Sequence, residues 1–203
     1  MTDKPNSRVV LASASPRRRE LLSLILTDFD IIPSEYDESL TPAELGSADH
    51  VLYSSRMKAL DIVEGHGERI VISADTVVTI DDLILGKPTD TDDAERMLRM
   101  LSGRTHQVMT GITVMCDGNE ESAVESTGVT FRELGDGLIR RYVMTGEPMD
   151  KAGAYAIQGR GCVLVSGIQG CYFNVVGLPL FRLSRILESF GISPIADFEL
   201  TQS

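Results

Sequence analysis

The stretch Arg8-Val-Val-Leu-Ala-Ser-Ala-Ser-Pro-Arg-Arg-Arg-Glu-Leu-Leu22 decides the fold class of this chain. Its first five residues, of which the last four are apolar, are typical of a short buried strand, and the next three predict a tight loop. Ser15 followed by Pro16 is a strong helix start, because serine caps free backbone N–H groups and proline suits the first helical position. A strand that leads directly into a helix favours an α/β protein.

The rest of the chain alternates strand and helix and then becomes richer in strands. The β-branched run Ile70–Ala74 predicts a central strand that ends immediately before Asp75. Hairpins are expected at 77–85, 107–131 and 163–176. The predicted helices are Pro16–Leu26, Asp49–Glu64, a helix from Asp90 or Thr91 to Leu101, Asp136–Met144, and one that begins at Pro179. This order predicts a mixed sheet rather than a purely parallel one.

Composition excludes several classes of protein. The chain has 203 residues, 42% hydrophobic and 24% charged, which predicts one globular domain over residues 1–203. It contains neither an apolar run long enough for a membrane span nor an N-terminal signal peptide pattern. A formal net charge of −11 argues against a nucleic-acid binder. Three cysteines without CxxC spacing favour the reducing cytoplasm, and three scattered histidines offer no metal-binding spacing.

The first candidate site is the arginine cluster at the start of the first predicted helix. Arg17, Arg18 and Arg19 lie where cations are unfavourable next to the helix dipole, and a bound phosphate would remove that conflict. The three side chains span about 200° around a helix, so one of them is expected to face solvent. The alternative is that all three belong to a solvated face.

The second candidate is Asp75, which directly follows a buried strand. A carboxylate there costs free energy unless it is paired or bound to a metal, and ligands gather at the carboxyl ends of strands. The alternative is an aspartate that caps a local turn. Weaker candidates are Glu38 in an acidic loop, Lys58 on the polar side of its helix, and Lys87 between Gly86 and Pro88.

Together these residues suit phosphoanhydride cleavage, which needs oxygen ligands for a divalent cation, basic groups for phosphate and an oriented water. The acids Glu38 and Asp75 and the bases Arg17, Lys58 and Lys87 supply this set. There is no GxxxxGK[ST] motif, so the chain is not a P-loop enzyme. Small residues around Gln158 permit close backbone approach to a ligand, and the amide of Gln158 offers a donor and an acceptor to a base.

Six motifs, in order, resemble the Maf family of nucleoside triphosphate pyrophosphatases. They are Leu11-Ala-Ser-Ala-Ser-Pro-Arg-Arg-Arg-Glu-Leu-Leu22, Ser73-Ala-Asp-Thr-Val-Val78, Gly86-Lys-Pro88, Leu101-Ser-Gly-Arg-Thr-His-Gln-Val108, Gly146-Glu-Pro-Met-Asp-Lys-Ala-Gly-Ala-Tyr-Ala-Ile-Gln-Gly159 and Asn174-Val-Val-Gly-Leu-Pro179. The resemblance implies a Maf/inosine-triphosphatase-like fold, an elongated mixed β-sheet flanked by helices with a cleft between two lobes. It also implies hydrolysis of a nucleoside triphosphate to monophosphate and diphosphate with Mg²⁺ or Mn²⁺, and a homodimer as one outcome.

The resemblance also implies the roles of individual residues. The family's catalytic aspartate falls on Asp75, its acidic partner on Glu38, and its lysines on Lys58 and Lys87. Its substrate-selecting positions fall on Arg17, Thr76 and Gln158. His106 lies in one of the motifs and is expected to be a structural hydrogen-bonding residue.

The expected mechanism combines these roles. The Ser13–Ser15 loop, Arg17 and Lys87 hold the triphosphate, Glu38 and Asp75 hold the metal, and Asp75 directs water to the α-phosphorus. Thr76 and Gln158 read the base.

The segment around Gln158 looks like the branch of the family that acts on dTTP and UTP. Two departures are visible, Ser54-Ser-Arg-Met-Lys-Ala59 where Leu-Ala-Arg-x-Lys-Ala is usual, and Ala156 in place of a common glycine. Three alternatives stay open: the same chemistry on 7-methyl-GTP, CTP or a damaged nucleotide, a nucleotide-binding regulator of cell division without turnover, and nucleic-acid binding.

Overall fold

A computed structural model of the protein describes residues 8–196. The strands in this range are β1 (Val9–Leu11), β2 (Asp30–Ile31), β3 (Ile70–Ile80), β4 (Leu83–Leu85), β5 (Thr105–Cys116), β6 (Asn119–Phe131) and β7 (Val165–Gln169). The helices are α1 (Pro16–Leu22), α2 (Ser47–His66), α3 (Thr91–Leu101), α4 (Asp136–Val143), α5 (Tyr172–Val176) and α6 (Leu180–Ser189). No helix within this range is both long and apolar enough to cross a membrane.

The strands form one mixed sheet, as the sequence predicted. Its order is β2-β1-β3-β5-β6-β7, and β4 pairs with β3 outside this path. β1 pairs in parallel with β2 and β3, and all other pairs are antiparallel. Helices flank this sheet, so the expected α/β fold is confirmed.

The central strand differs from the prediction. We expected a strand that ends before Asp75 and then a separate hairpin, whereas β3 runs unbroken over 11 residues. It continues because β5 pairs with almost its whole length. On its other edge β1 covers Ile70–Ile72 and β4 covers Val78–Ile80. Among the described residues no strand pairs with β3 between these two segments on that edge, and residues 75–77 line a cleft there.

Two apolar cores lie on either side of this cleft. One includes Leu11, Leu22 and Leu183, from β1, α1 and α6. The other includes Leu98 and Phe131, from α3 and β6. Because fully buried side chains fill both cores, each lobe holds its wall of the cleft in a fixed place.

Helix α2 packs on the other face of the sheet, and its approach depends on a glycine. A Cβ at Gly111 would lie 2.3 Å from the backbone oxygen of Val51 in α2, so only glycine permits this spacing. Gly111 is also the residue of β5 that pairs with Asp75. The close packing therefore brings the side chains of α2 within reach of Asp75.

The predicted hairpin at 163–176 is wrong in its second half. β7 pairs with β6, but the next segment is helix α5 and not a strand. The side-chain amide of Asn174 donates to the carbonyl oxygen of Val108 and to Thr127 Oγ1, both at 2.9 Å. These tertiary hydrogen bonds outweigh the strand preference of the sequence Tyr-Phe-Asn-Val-Val.

Candidate active site

The cleft between the lobes has a volume of about 1050 Å³, which is large enough for a nucleotide. Its walls come from the loop before α1, residues 75–78 of β3, the turn after β4, and the segment 147–159. The residues to which the sequence assigned a catalytic or substrate-binding role all line it: Ser13, Ser15, Arg17, Glu38, Lys58, Asp75, Thr76, Lys87 and Gln158. Residues from six separate stretches of the chain are thus brought together.

Two carboxylates meet on one lysine at the centre of this cleft. Lys58 Nζ donates to Glu38 Oε1 and to Asp75 Oδ1, each at 2.6 Å. Lys58 and Asp75 are 7% and 6% exposed, so this pair is largely withdrawn from water. Lys87 Nζ lies 3.9 Å from Glu38 Oε2 and remains exposed.

The position of Lys58 corrects an expectation. We placed it on the polar side of α2, but it lies on the buried side together with Ser54, Ser55 and Ala59. A buried ammonium group requires compensation, and the two carboxylates provide it. Asp75 likewise lies in the middle of β3 and not at a strand end, so its role as a turn cap is excluded.

Glu38 reaches the lysine from a short turn. Residues Glu38–Leu40 form one 3₁₀ turn, which the side chain of Asp37 caps by accepting from the backbone N–H of Ser39. Burial raises the pKa of Glu38, but the charge of Lys58 and its hydrogen bond lower it further, so the net pKa is below its ordinary value. Glu38 is therefore ionised at neutral pH.

Glu38 and Asp75 fit a divalent cation that is also held by a substrate. One oxygen of each carboxylate accepts from Lys58 Nζ, so the second oxygen of each is left for a cation beside the lysine. Within residues 8–196 no third His, Cys, Asp or Glu joins them in a metal-binding group. Mg²⁺ is commonly bound by one or two carboxylates, with phosphate oxygens and water completing the shell. The donor set suits that arrangement.

Two of the three arginines at the start of α1, Arg17 and Arg18, line the cleft. Burial lowers the pKa of Arg17, while Asp150, Tyr142 and Glu147 oppose this effect. Arg19 is exposed, which confirms that one of the three faces solvent. Ser15 caps α1 by accepting from the backbone N–H of Arg18 at 3.5 Å.

Arg18 is a residue that the sequence did not single out for a separate role. Its guanidinium donates to the Gly177 carbonyl at 2.9 Å, to Thr76 Oγ1 at 3.1 Å and to Ser13 Oγ at 3.3 Å. It therefore ties together α1, β3 and the turn after α5. The spacing of consecutive arginines could not reveal this, because it does not indicate which one points inward.

The segment that carries Gln158 is held by an anchored carboxylate. Glu147 accepts hydrogen bonds from the backbone N–H of Arg160 at 2.9 Å and of Gly161 at 3.0 Å. It also accepts from the hydroxyl of Tyr142 at 2.9 Å. Gln158 itself is exposed at the rim of the cleft. Sequence reasoning missed Glu147, which had no distinguishing neighbours beyond the motif that contains it.

His106 has the structural role that the sequence predicted. Its Nε2 atom lies 2.8 Å from the hydroxyl of Tyr155, and its ring packs edge-on against Phe131 and Tyr155. Burial lowers the pKa of His106 to about 4. It is therefore neutral near pH 7 and supports Tyr155, which lines the cleft.

Comparison with known proteins agrees with this architecture. A family model described as Maf-like protein matches residues 8–190. The chain is 47% identical over 188 residues to a Bacillus pumilus protein named dTTP/UTP pyrophosphatase, with 93% of this chain and 99% of the relative covered. A protein of the same name from Acetivibrio thermocellus is 50% identical, with 92% of this chain and 96% of the relative covered. Another from Methanosarcina mazei is 48% identical, with 92% of this chain and 95% of the relative covered. A match of this extent, over a fold and a cleft that agree with it, shows that the chain belongs to the Maf family.

Proposed function

We propose that this Maf family member hydrolyses dTTP and UTP to the nucleoside monophosphate and diphosphate. The observation that carries the proposal is the meeting of Glu38 and Asp75 on Lys58, inside a cleft that Arg17 and Lys87 also line. The names of the relatives support the choice of substrates. We also propose that residues 1–203 form one domain, of which the structure describes residues 8–196.

Glu38 and Asp75 would hold Mg²⁺ or Mn²⁺ together with phosphate oxygens of the substrate. When bound, the cation neutralises charge on those oxygens and so favours displacement at phosphorus. Lys58 would hold the two carboxylates in place and offset their mutual repulsion.

The basic residues of the cleft would bind the triphosphate. Arg17 offers a planar fork of N–H donors that matches phosphate oxygens. Lys87 adds a mobile point charge, since its side chain is 62% exposed and lies on a short segment between Gly86 and Pro88. The hydroxyl of Ser13 can donate to a phosphate oxygen, because its hydrogen is not used in the bonds that it accepts from Ser15 and Arg18.

Asp75 would orient the attacking water and accept its proton. The water oxygen forms a bond to the α-phosphorus, the bond from that phosphorus to the bridging oxygen breaks, and diphosphate leaves with the electron pair. General-base assistance of this kind contributes roughly 10²–10⁴ in rate. Lys58, donating to one oxygen of Asp75, fixes the direction in which the other oxygen points.

Thr76 and Gln158 would contact the base. Thr76 lies on the opposite face of β3 from Asp75, because side chains alternate along a strand. The reacting phosphate and the base can therefore be held by neighbouring residues without competing for the same space.

Product analysis tests the proposal directly. Incubation of dTTP with the protein and Mg²⁺ should yield dTMP and diphosphate, and EDTA should stop the reaction. Release of dTDP and orthophosphate would contradict the site of attack. If 7-methyl-GTP or CTP is cleaved faster than dTTP in a mixture, that nucleotide is the preferred substrate. Tight binding of dTTP without release of diphosphate would favour a regulator without turnover.

We place this activity in the cytoplasm, since Cys116, Cys162 and Cys171 are all free thiols. A net charge of −11 disfavours nucleic acid as a partner. A homodimer stays a prediction that sedimentation at several protein concentrations would test.

A further inference from the structure

The hydroxyl of Thr76 belongs to a chain of hydrogen bonds that leads away from the cleft. Thr76 Oγ1 accepts from Arg18 Nη2 at 3.1 Å and lies 3.0 Å from Thr110 Oγ1. Thr110 Oγ1 in turn donates to the carbonyl oxygen of Asn174 at 3.2 Å. That carbonyl is fixed in position, because the fully buried side chain of Asn174 is bonded to β5 and β6.

The groups at the two ends of this series of hydrogen bonds determine which hydroxyl donates at each step. A carbonyl oxygen only accepts, so the single hydrogen of Thr110 is directed to Asn174. The hydrogen between the two threonines must therefore come from Thr76. A guanidinium only donates, so the bond from Arg18 uses one lone pair of Thr76. What remains on Thr76 Oγ1 is one lone pair and no hydrogen.

The space over this oxygen is kept open by a glycine. Gly177 lines the cleft with a φ of +121°, and a Cβ there would lie 3.6 Å from Thr76 Oγ1 and 3.7 Å from Arg18 Nε. Any side chain would thus cover the hydroxyl. Thr76 is half-buried and lines the cleft, whereas Thr110 is fully buried.

We propose that Thr110, together with Arg18, is a positioning residue that makes Thr76 an acceptor only, and that this acceptor receives the ring N3–H of uracil or thymine. The inference rests on the proposed function and deepens it. dTTP and UTP differ in the sugar 2′-hydroxyl and the 5-methyl group, but both bases carry a hydrogen on N3. Cytosine has a lone pair at N3 and would face the lone pair of Thr76.

The chemistry makes this arrangement discriminating. Two acceptors placed against each other are left unpaired in a partly buried site, and an unpaired polar group costs more than an average hydrogen bond gains. If the hydrogen of Thr76 were free to turn, the same hydroxyl could donate to cytosine instead. Selection of uracil or thymine over cytosine therefore depends on Thr110, which contacts none of these bases.

Thr110→Val tests the inference because it removes the acceptor for the hydrogen of Thr76 while keeping the shape of the side chain. The carbonyl of Asn174 retains the backbone N–H of Gly177 as a donor at 3.0 Å. We expect the preference for UTP over CTP, measured as the ratio of kcat/KM values, to fall by about tenfold. The change should arise from a lower KM for CTP, with kcat little altered.

Two variants serve as controls. Thr110→Ser restores a hydroxyl and should keep the wild-type ratio. Thr113→Val removes an equally buried hydroxyl of the same strand, whose bonds run to Ser55 and Ser122 and not toward the cleft. It should leave the ratio unchanged even where it lowers stability.

Substrate analogues test the same claim on the wild-type protein, so the inference stays falsifiable even if Thr110→Val does not fold. 3-Methyl-UTP lacks the N3 hydrogen and should be cleaved at least about tenfold less efficiently than UTP. 3′-Deoxy-UTP should be cleaved like UTP. Loss of activity on 3′-deoxy-UTP with full activity on 3-methyl-UTP would assign Thr76 to the sugar and overturn the inference.

The outcomes separate the two proposals. If the wild-type protein releases no UMP from UTP, the proposed function fails. If it cleaves UTP but treats CTP equally well, or if Thr110→Val leaves the ratio unchanged, the proposed function stands and the positioning role of Thr110 fails.

Discussion

Lys58 Nζ lies 2.6 Å from Asp75 Oδ1, and both side chains are only 9% exposed. The ammonium comes from α2 on one face of the sheet, and the carboxylate comes from the middle of β3. A buried ion pair adds little net stability, but the loss of one partner leaves a charge unpaired. Changes at this pair therefore affect stability and chemistry together, and experiments must measure both.

Lys58→Met should destabilise the protein. Glu38 and Asp75 would lose the lysine ammonium that they share. Removal of one partner from a buried ion pair costs about 3–5 kcal/mol. Urea unfolding monitored by circular dichroism measures the change in free energy of unfolding. Lys87→Met is the matched control, because Lys87 is 62% exposed, and we expect about 0.5 kcal/mol or less with a raised KM. Equal stability of the two variants would contradict the account.

Asp75→Asn should reduce kcat by about 10²–10⁴, because the amide cannot accept a proton from water. Lys58 keeps Glu38 as a partner, so the variant should still unfold cooperatively. Diphosphate release from dTTP gives the rate, and a thermal melt gives the stability. Asp92→Asn, on the exposed first turn of α3, is the control. Full activity of the Asp75 variant would remove this residue from the mechanism.

Glu147→Gln should loosen the segment that carries Gln158. The charged acceptor of the backbone N–H groups of Arg160 and Gly161 is lost, at about 1–3 kcal/mol in stability. We expect KM for dTTP to rise more than kcat falls, because Gln158 is proposed to contact the base and not the reacting phosphate.

Gly159→Ala tests the same contact from the other side, since its Cβ would lie 2.3 Å from Glu147 Oε2. It should give a similar rise in KM. The exposed Glu133→Gln is the control and should leave KM unchanged. Unaltered KM values in both the Glu147 and Gly159 variants would show that this anchor does not position the site.

Stability should fall in mild acid through His106. Burial lowers its pKa from 6.5 in the unfolded chain to about 4 in the folded protein. Between these values the unfolded chain binds a proton that the folded protein does not, so stability is complete above the higher value. It decreases toward the lower one, by up to about 1.4 kcal/mol per pH unit.

His106→Gln isolates this contribution, because glutamine does not titrate. Urea unfolding at about pH 7 and about pH 5 should show a weaker pH dependence in the variant than in the wild-type protein. If the free energy of unfolding changes equally between the two pH values in the variant and in the wild-type protein, His106 does not govern the acid response.

The sequence predicted the fold class, and the nine residues that it proposed for the site all line the cleft, because these features depend on local patterns and ordered motifs. It misplaced Lys58 because a charged residue on a helix was assigned to the solvent side. A signal was present, since Lys58 lies within the stripe of Ser55, Ala59 and Ile62 that forms the buried side of α2.

Other features could not be read from local pattern. The continuity of β3 through Asp75 is set by its antiparallel partner β5, and helix α5 is set by the bonds of Asn174. The inward turn of Arg18 depends on acceptors in β3 and after α5, far along the chain. Each of these features is fixed by contacts that only the folded chain creates.

The central claim is that Asp75 directs water to the α-phosphorus, and hydrolysis of dTTP in H₂¹⁸O tests it most directly. Mass spectrometry of the products should find one ¹⁸O atom in dTMP and none in diphosphate. Label in diphosphate instead would show attack at the β-phosphorus and contradict the arrangement proposed for Glu38, Asp75 and the bound triphosphate.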